Sequence, residues 1–326
     1  MGLNENGIHL LHGDSNCVLD TIDTNSVDAV VTDVPAGISL LGNQWDNPAA
    51  LENTASSNVI GYARNPLCKK CGKFKRGWRG RNGCLCEVPN FDANDRQTVD
   101  RDKFIAWLEN IMAKCLRVVK PGGYALVWSI PKTSHWTAKA LENAGWQLCG
   151  SIAHVFSQGL PKSFNIALAI ERSLSKDSAP EEIDMEGSDD KVVLSDEAKK
   201  WVGWGTSLKP AYERWILARK QGNDKPERKP PAFFYCSKTS KAEKNNGKVI
   251  NDHPTIKSLK LMSFLIKSVA DAGDIILDPF AGSGSTGVAC AMNGYQFIGI
   301  EKEEKYFNIA KSRIDAVSSE ITMDCF

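Results

Sequence analysis

The stretch that most restricts the fold is "DIILDPFAGSGSTG", Asp274 to Gly287. A β-branched apolar run stops at an acid, Asp278, and enters a loop with Gly282, Gly284 and Gly287 in G-x-G-x-x-G spacing. Between a strand and a helix, such glycines permit a tight turn and close approach of backbone to a ligand. "YQFIGIE" predicts a second strand, ending at Glu301. An acid roughly 20 residues past the glycines is where ribose hydroxyls bind in such units. Few residues follow Glu301, room for about one helix. The remaining strands therefore lie earlier in the sequence, and the sheet is read as circularly permuted. Asp278 also suits a cationic ligand better than a pyrophosphate.

The earlier sequence supplies those strands. "GIHLLHGD" predicts a strand ending at Asp14, Asn16 to Ile22 a short helix, and "SVDAVVTD" a buried strand that stops at Asp33. From Asp100 to Val119, Phe104, Trp107, Leu108, Ile111, Met112, Cys115 and Leu116 recur at helical spacing. Pro121-Gly122-Gly123 is expected to end that helix before the strand "YALVWSI". A helix over Thr133–Ala144 and a strand in "WQLCGSIAHVF" continue the alternation, which defines an open, largely parallel α/β sheet. "ERWILARK" is a further strand; Leu259–Ala270, Gly287–Asn293 and Glu304–Val317 are helices. The acidic stretch Ser175 to Ser195 and the charged, proline-rich Gln221 to Pro231 read as loops.

Three segments in order resemble the amino-group DNA methyltransferases, which act on adenine N6 or cytosine N4. "DPFAGSGST" is similar to their S-adenosylmethionine loop, "TDVPAGIS" to their Asp-Pro-Pro-Tyr catalytic loop, and "HPTIKS" to their His-Pro-Thr-x-Lys-Pro segment. The order, catalytic loop first and cofactor loop last, is that of the permuted β group. "HGDSNCVLDTI" resembles their opening strand, whose acid lies near the adenine of the cofactor. The resemblance implies a Rossmann-like S-adenosylmethionine-dependent methyltransferase. It assigns cofactor binding to Asp14, His253, Lys257, Asp278, Phe280, Gly282, Gly284 and Glu301. It assigns catalysis to Asp33, Val34, Pro35 and Ala36. The Asp33 carboxylate and the Val34 carbonyl would accept the two N–H bonds of the target amine, with Pro35 stiffening the turn. The base must first be flipped out of the duplex. Two departures stand out: Val34 replaces the first proline, and Ala36 replaces the aromatic that stacks on the base. Trp45, on the same loop, is the candidate replacement. An acid at position 33 favours adenine, since the cytosine enzymes more often carry serine there. Transfer to cytosine N4, and a cofactor- or DNA-binding protein impaired in catalysis, are the alternatives.

"CKKCGKFKRGWRGRNGCLC" holds Cys68 and Cys71, then twelve residues, then Cys84 and Cys86. Four thiolates in two short pairs are expected to close a structural, tetrahedral zinc (Zn2+) site. Eight basic residues, Arg64, Lys69, Lys70, Lys73, Lys75, Arg76, Arg79 and Arg81, crowd Tyr62 to Cys86 without an acid, and suit phosphate contacts. The net charge of the whole chain is only +1, so no global field draws it to DNA.

We divide the chain into a first methyltransferase part (1–61), a cysteine-rich basic insertion (62–98), a second part (99–172), a variable region that is a candidate for target recognition (173–247), and a third part with the cofactor loop (248–326). The opening "MGLNENGIHLLHGD" lacks a basic and apolar leader, and no apolar run approaches the ~18 residues of a membrane span. The expected setting is cytoplasmic, bacterial or phage-encoded, with double-stranded DNA as partner and no membrane. A homodimer and a companion restriction nuclease are compatible with the sequence, which requires neither.

Overall fold

The computed structural model describes residues 7–36, 85–87, 93–157, 165–174, 194–205, 210–222, 227–245, 251 and 256–323. It forms two compact units. One comprises Met1–Val155 and Glu213–Phe326, the other Phe156–Tyr212.

The larger unit is built on β1 (Ile8–His12), β2 (Val27–Thr32), β3 (Val119–Ser129), β4 (Gln147–Val155), β5 (Tyr212–Arg219), β6 (Phe233–Tyr235), β7 (Ile275–Asp278) and β8 (Gln296–Glu301). Among the described residues these strands make one sheet in the order β1-β8-β7-β2-β3-β5-β4-β6. The pairs β1/β8, β8/β7, β7/β2 and β2/β3 are parallel, and β3/β5 is antiparallel. Every residue of β2 is buried, as a central parallel strand covered on both faces requires. One face packs Ala29, Val31, Leu126 and Trp215 against Leu261, Leu265 and Val288. The other packs Val30, Ala125 and Val127 against Phe104, Leu108, Ile111 and Leu141.

The helices of this unit are α1 (Ser15–Val18), α2 (Ala93–Val118), α3 (Ser134–Asn143), α6 (Lys241–Lys244), α7 (Leu259–Val269), α8 (Ser285–Asn293) and α9 (Glu304–Met323). The smaller unit holds α4 (Ile166–Leu174) and α5 (Asp196–Lys199), capped by Ser195. Its Trp201 and Trp204 rings meet edge to face 6.0 Å apart, and both are exposed. Among the described residues, no helix is long and apolar enough to cross a membrane.

From β7 the chain crosses over to β8 on one side, while from β2 it leads to β3 on the other. Ligands of open α/β sheets bind at such a switch point, outside the carboxyl ends of the strands. Asp33 and Asp278 emerge there.

The Pro121-Gly122-Gly123 segment departs from expectation. It does not separate helix from strand: α2 ends at Val118, and β3 begins at Val119 and runs through the segment. The β2/β3 register jumps there, from Val27 opposite Val119 to Ala29 opposite Tyr124. A Cβ on Gly123 would lie 2.6 Å from the Asp28 carbonyl, so only glycine fits. The loop glycines are equally constrained. Gly284 has φ +82° and opens α8, and a Cβ there would sit 2.8 Å from the Ala310 Cβ of α9. At Gly287 a Cβ would meet Ile314 at 2.6 Å, so this glycine serves close helix packing.

Gly284→Ala adds both backbone strain and a clash. It is expected to lower the unfolding free energy by about 1–3 kcal/mol in urea denaturation. An unchanged midpoint would contradict the packing described.

Candidate active site

Asp278 closes β7 and is 1% exposed. Its Oδ1 accepts from Thr32 Oγ1 at 2.6 Å and from the Phe280 N–H at 3.0 Å, and its Oδ2 accepts from Thr286 Oγ1 at 2.5 Å. Asp278 thus clamps the end of β2, the glycine loop and α8 together from beneath. Burial pushes its carboxyl up to about 6, against the threonine and backbone bonds that pull it down.

Above it, the residues around the glycine loop converge. Glu301, at the end of β8, accepts from the Gly282 N–H at 2.7 Å and from the Glu303 N–H at 2.8 Å. Each oxygen keeps capacity for a further donor. Burial raises the Glu301 carboxyl above its ordinary value. Asp14 follows β1, caps α1 through the Asn16 N–H at 2.9 Å, and meets Lys302 at 3.0 Å. Burial alone would raise its carboxyl; Lys302 and the Asn16 N–H bring it below the usual range. Phe280 faces Trp107 of α2, ring centroids 5.4 Å apart. Behind the loop, Arg313 of α9 donates to the Ser283 carbonyl at 2.5 Å.

Asp33 follows β2, with its side chain 20% exposed, and Oδ2 accepts from Lys257 Nζ at 2.7 Å. Burial pushes the Asp33 carboxyl up to about 6; Lys257 pulls it down, while Glu213 and Asp278 add to the rise. Val34 is buried in the core on one face of the sheet and Ala36 in the core on the other. The Ala36 carbonyl accepts from Thr133 Oγ1 at 3.3 Å, and Pro35 between them is half-buried. Val34 and Ala36 are therefore packed positions, and each supplies apolar bulk where the resembling motif has a ring.

Lys257 Nζ also lies 4.1 Å from the centroid of the Trp128 ring, at the end of β3. Trp128 Nε1 donates to Glu213 Oε2 at 2.8 Å. Glu213 lies 3.6 Å from Lys238 Nζ and 3.9 Å from His154 Nδ1. Burial would raise Glu213, yet Lys257, His154, Trp128 and Lys238 hold it down at about 2.

Asp14, Asp278, Phe280, Gly282, Gly284 and Glu301 therefore gather at the ends of β1, β7 and β8. Asp33 and Lys257 meet at the end of β2. Trp45, His253, Cys68, Cys71 and Cys84 lie outside the described residues, and Cys86 is described only as half-buried. Among the described residues no cluster of His, Cys, Asp or Glu could hold a metal. Trp107, Trp128, Glu213, Thr32 and Thr286 were not apparent from sequence. The one signal available was Trp128 closing a strand beside the Asp33 strand.

The fold is that of the Rossmann-like, S-adenosylmethionine-dependent methyltransferases. The family model N6_N4_Mtase, described as DNA methylase, matches residues 27–312. The type II methyltransferase M.HindIII of Haemophilus influenzae is 24% identical over 331 residues, 94% of each chain. M2.DpnII of Streptococcus pneumoniae is 46% identical over 80 residues, 24% of this chain and 28% of the relative. The PvuII cytosine-N4-specific DNA methyltransferase has a similar fold, with TM-score 0.53, 14% identity and coverage of 96% of this chain and 91% of that one. An M1.HpyAVI–SAM complex has TM-score 0.50, 20% identity and coverage of 94% and 99%. The chain belongs to the N6/N4 DNA methylase family.

The Asp278 clamp predicts a pH dependence. An unfolded aspartate titrates near ~3.9, whereas native Asp278 titrates at about 6. The native state thus holds this proton more tightly. The stabilisation is complete below the unfolded value and is lost as pH rises through the native one. Relative to Asp278→Asn, which cannot titrate, the wild type should lose on the order of 2–3 kcal/mol between pH 4 and 7. Denaturation curves for both proteins across that range measure it, and a constant difference would contradict it.

Proposed function

We propose that this protein transfers a methyl group from S-adenosylmethionine to the exocyclic amine of a flipped-out base in double-stranded DNA, with adenine N6 as the target. The observation that carries the reading is the convergence of Asp33 with the Gly282/Glu301 loop at one switch point. The donor set suits the cofactor. Carboxylates accept from ribose hydroxyls, Phe280 and Trp107 offer aromatic faces to an adenine, and the surplus of acids suits a cation. Bound there, S-adenosylmethionine supplies an electrophilic methyl group.

The chain's own residues act on the amine. Its lone pair is delocalised into the base, so it must be turned toward the methyl group. Asp33 accepts one N–H and the Val34 carbonyl accepts the other, which fixes that orientation without reorganisation during the reaction. Asp33 accepts most strongly when ionised, so activity should rise through pH about 6. The acid at position 33 supports adenine. The fold shared with a cytosine-N4-specific enzyme keeps cytosine as the second reading.

Nucleoside mass spectrometry after incubation with labelled S-adenosylmethionine and mixed-sequence DNA decides between them. N6-methyladenine is expected, and N4-methylcytosine would transfer the assignment to the second reading. Asp33→Ala should slow single-turnover transfer by about 100-fold or more while leaving cofactor affinity within about threefold. No methylated base from the wild type would contradict the proposal.

Zinc belongs to the same proposal. Cys68, Cys71, Cys84 and Cys86 offer four soft donors in two pairs, enough to fill a tetrahedron and leave no open position. Their metal would order the basic insertion, which, with the variable region, we assign to DNA contact. Elemental analysis of protein purified without chelator should give about one zinc per chain. Absence of zinc, or full retention after Cys84→Ser with Cys86→Ser, would refute it.

A further inference from the structure

The ion pair on Asp33 is part of a longer arrangement that transfer by positioning alone does not need. Oδ2 of Asp33 is taken by Lys257 at 2.7 Å, and among the described residues nothing donates to Oδ1. The Lys257 side chain is only 10% exposed, so water does little to hold its charge. Two groups do that instead: the Trp128 ring face at 4.1 Å, and the charge of Glu213, which the same tryptophan grips through Nε1 at 2.8 Å. Trp128 is thus pinned at its edge by an acid and presents its face to a cation. Glu213 comes from β5, which pairs with β3 so that Trp128 stands opposite Trp215.

We infer that Glu213 and Trp128 seat Lys257 so that it holds Asp33 in its ionised form and leaves Oδ1 to accept the target amine. Lys257 and Glu213 are then positioning residues; of the three charged groups, Asp33 is the one that touches the amine. This rests on the assignment of Asp33 made above. Three charged groups bear on Asp33: Lys257 ahead of α7, Glu213 of β5 and Asp278 of β7. Lys257, His154 of β4 and Lys238 after β6 bear on Glu213.

Removal of either positioning residue should act on Asp33 in the same sense, through the lysine. Lys257→Leu takes away the cation that favours the carboxylate. The acid limb of kcat/KM for DNA should move up by about one pH unit or more, the scale of a lost neighbouring charge. Glu213→Gln keeps an acceptor for Trp128 Nε1 but removes the charge that seats Lys257, so the limb should also move up, by less. A Glu213 that acted only as a negative charge near Asp33 would give the opposite result, a limb moved down. Lys257→Arg should restore the limb toward its wild-type position. A purely structural role for either residue would lower the rate or the stability without moving the limb up.

The experiment is the pH profile of kcat/KM with duplex DNA for the wild type, Lys257→Leu, Lys257→Arg, Glu213→Gln and Asp33→Ala. Upward shifts in both Lys257→Leu and Glu213→Gln support the inference. An active, Asp33-dependent enzyme whose limb stays fixed in the variants, or moves down in Glu213→Gln, overturns it alone. Full activity in Asp33→Ala, or none in the wild type, overturns the assignment of Asp33 and this inference with it. If Lys257→Leu does not fold, the direction of the shift in Glu213→Gln decides the matter by itself.

Discussion

The site depends on one pairing, that of β2 with β7. Ala29 lies opposite Ile276 and Val30 opposite Leu277, joining strands from opposite ends of the chain. The hydrogen bond from Thr32 to Asp278 spans 246 positions and ends that pairing. Without it, the loop that begins at Pro279 and the acid at position 33 would have no fixed relation. Because both strands are parallel and buried, their carboxyl ends finish at the same level. The permuted chain order changes which covalent links run between strands, and leaves this meeting of strand ends intact.

Electrostatics then divide the acids by task. Asp278 is buried and satisfied by hydroxyls, so it serves the fold. Glu301 and Asp14 stay within reach of the loop's open side and are tied to backbone N–H groups. Asp33 is pushed up to about 6, whereas Glu213, which shares Lys257 with it, is held at about 2. Titratable neighbours driven apart in this way mark acid–base assignments in enzymes generally. On the assignments proposed above, the group near neutrality is the one that accepts from an amine, and the strongly ionised one is the partner that helps to seat a cation.

Local features were the legible ones. The glycine loop, the strand ending at Glu301 and the strand ending at Asp33 are written in contiguous residues, because tight turns and strand ends impose their own composition. The helix over residues 100–118 was legible from its spacing for the same reason. The course of Pro121-Gly122-Gly123 was not: its glycines answer to the Asp28 carbonyl on a neighbouring strand, not to a helix end. Lys257 is similar. Its segment resembles a cofactor-side motif, but its ammonium reaches Asp33 across 224 positions, a contact that only the assembled sheet creates. For the ring missing at Ala36 the sequence offers Trp45, which lies outside the described residues. In the structure Ala36 and Trp128 belong to the same large buried cluster.

The central claim is that the ends of β2 and β7 form a single site for methyl donor and target amine. A crystal structure of the protein with duplex DNA and sinefungin, a non-transferable analogue of S-adenosylmethionine, tests it most directly. The account predicts the ribose hydroxyls on Glu301, the adenine beside Phe280, and an extrahelical base with its amine on Asp33 and the Val34 carbonyl. An analogue bound away from the Gly282 loop, or a base whose amine lies beyond hydrogen-bond reach of Asp33, would contradict it.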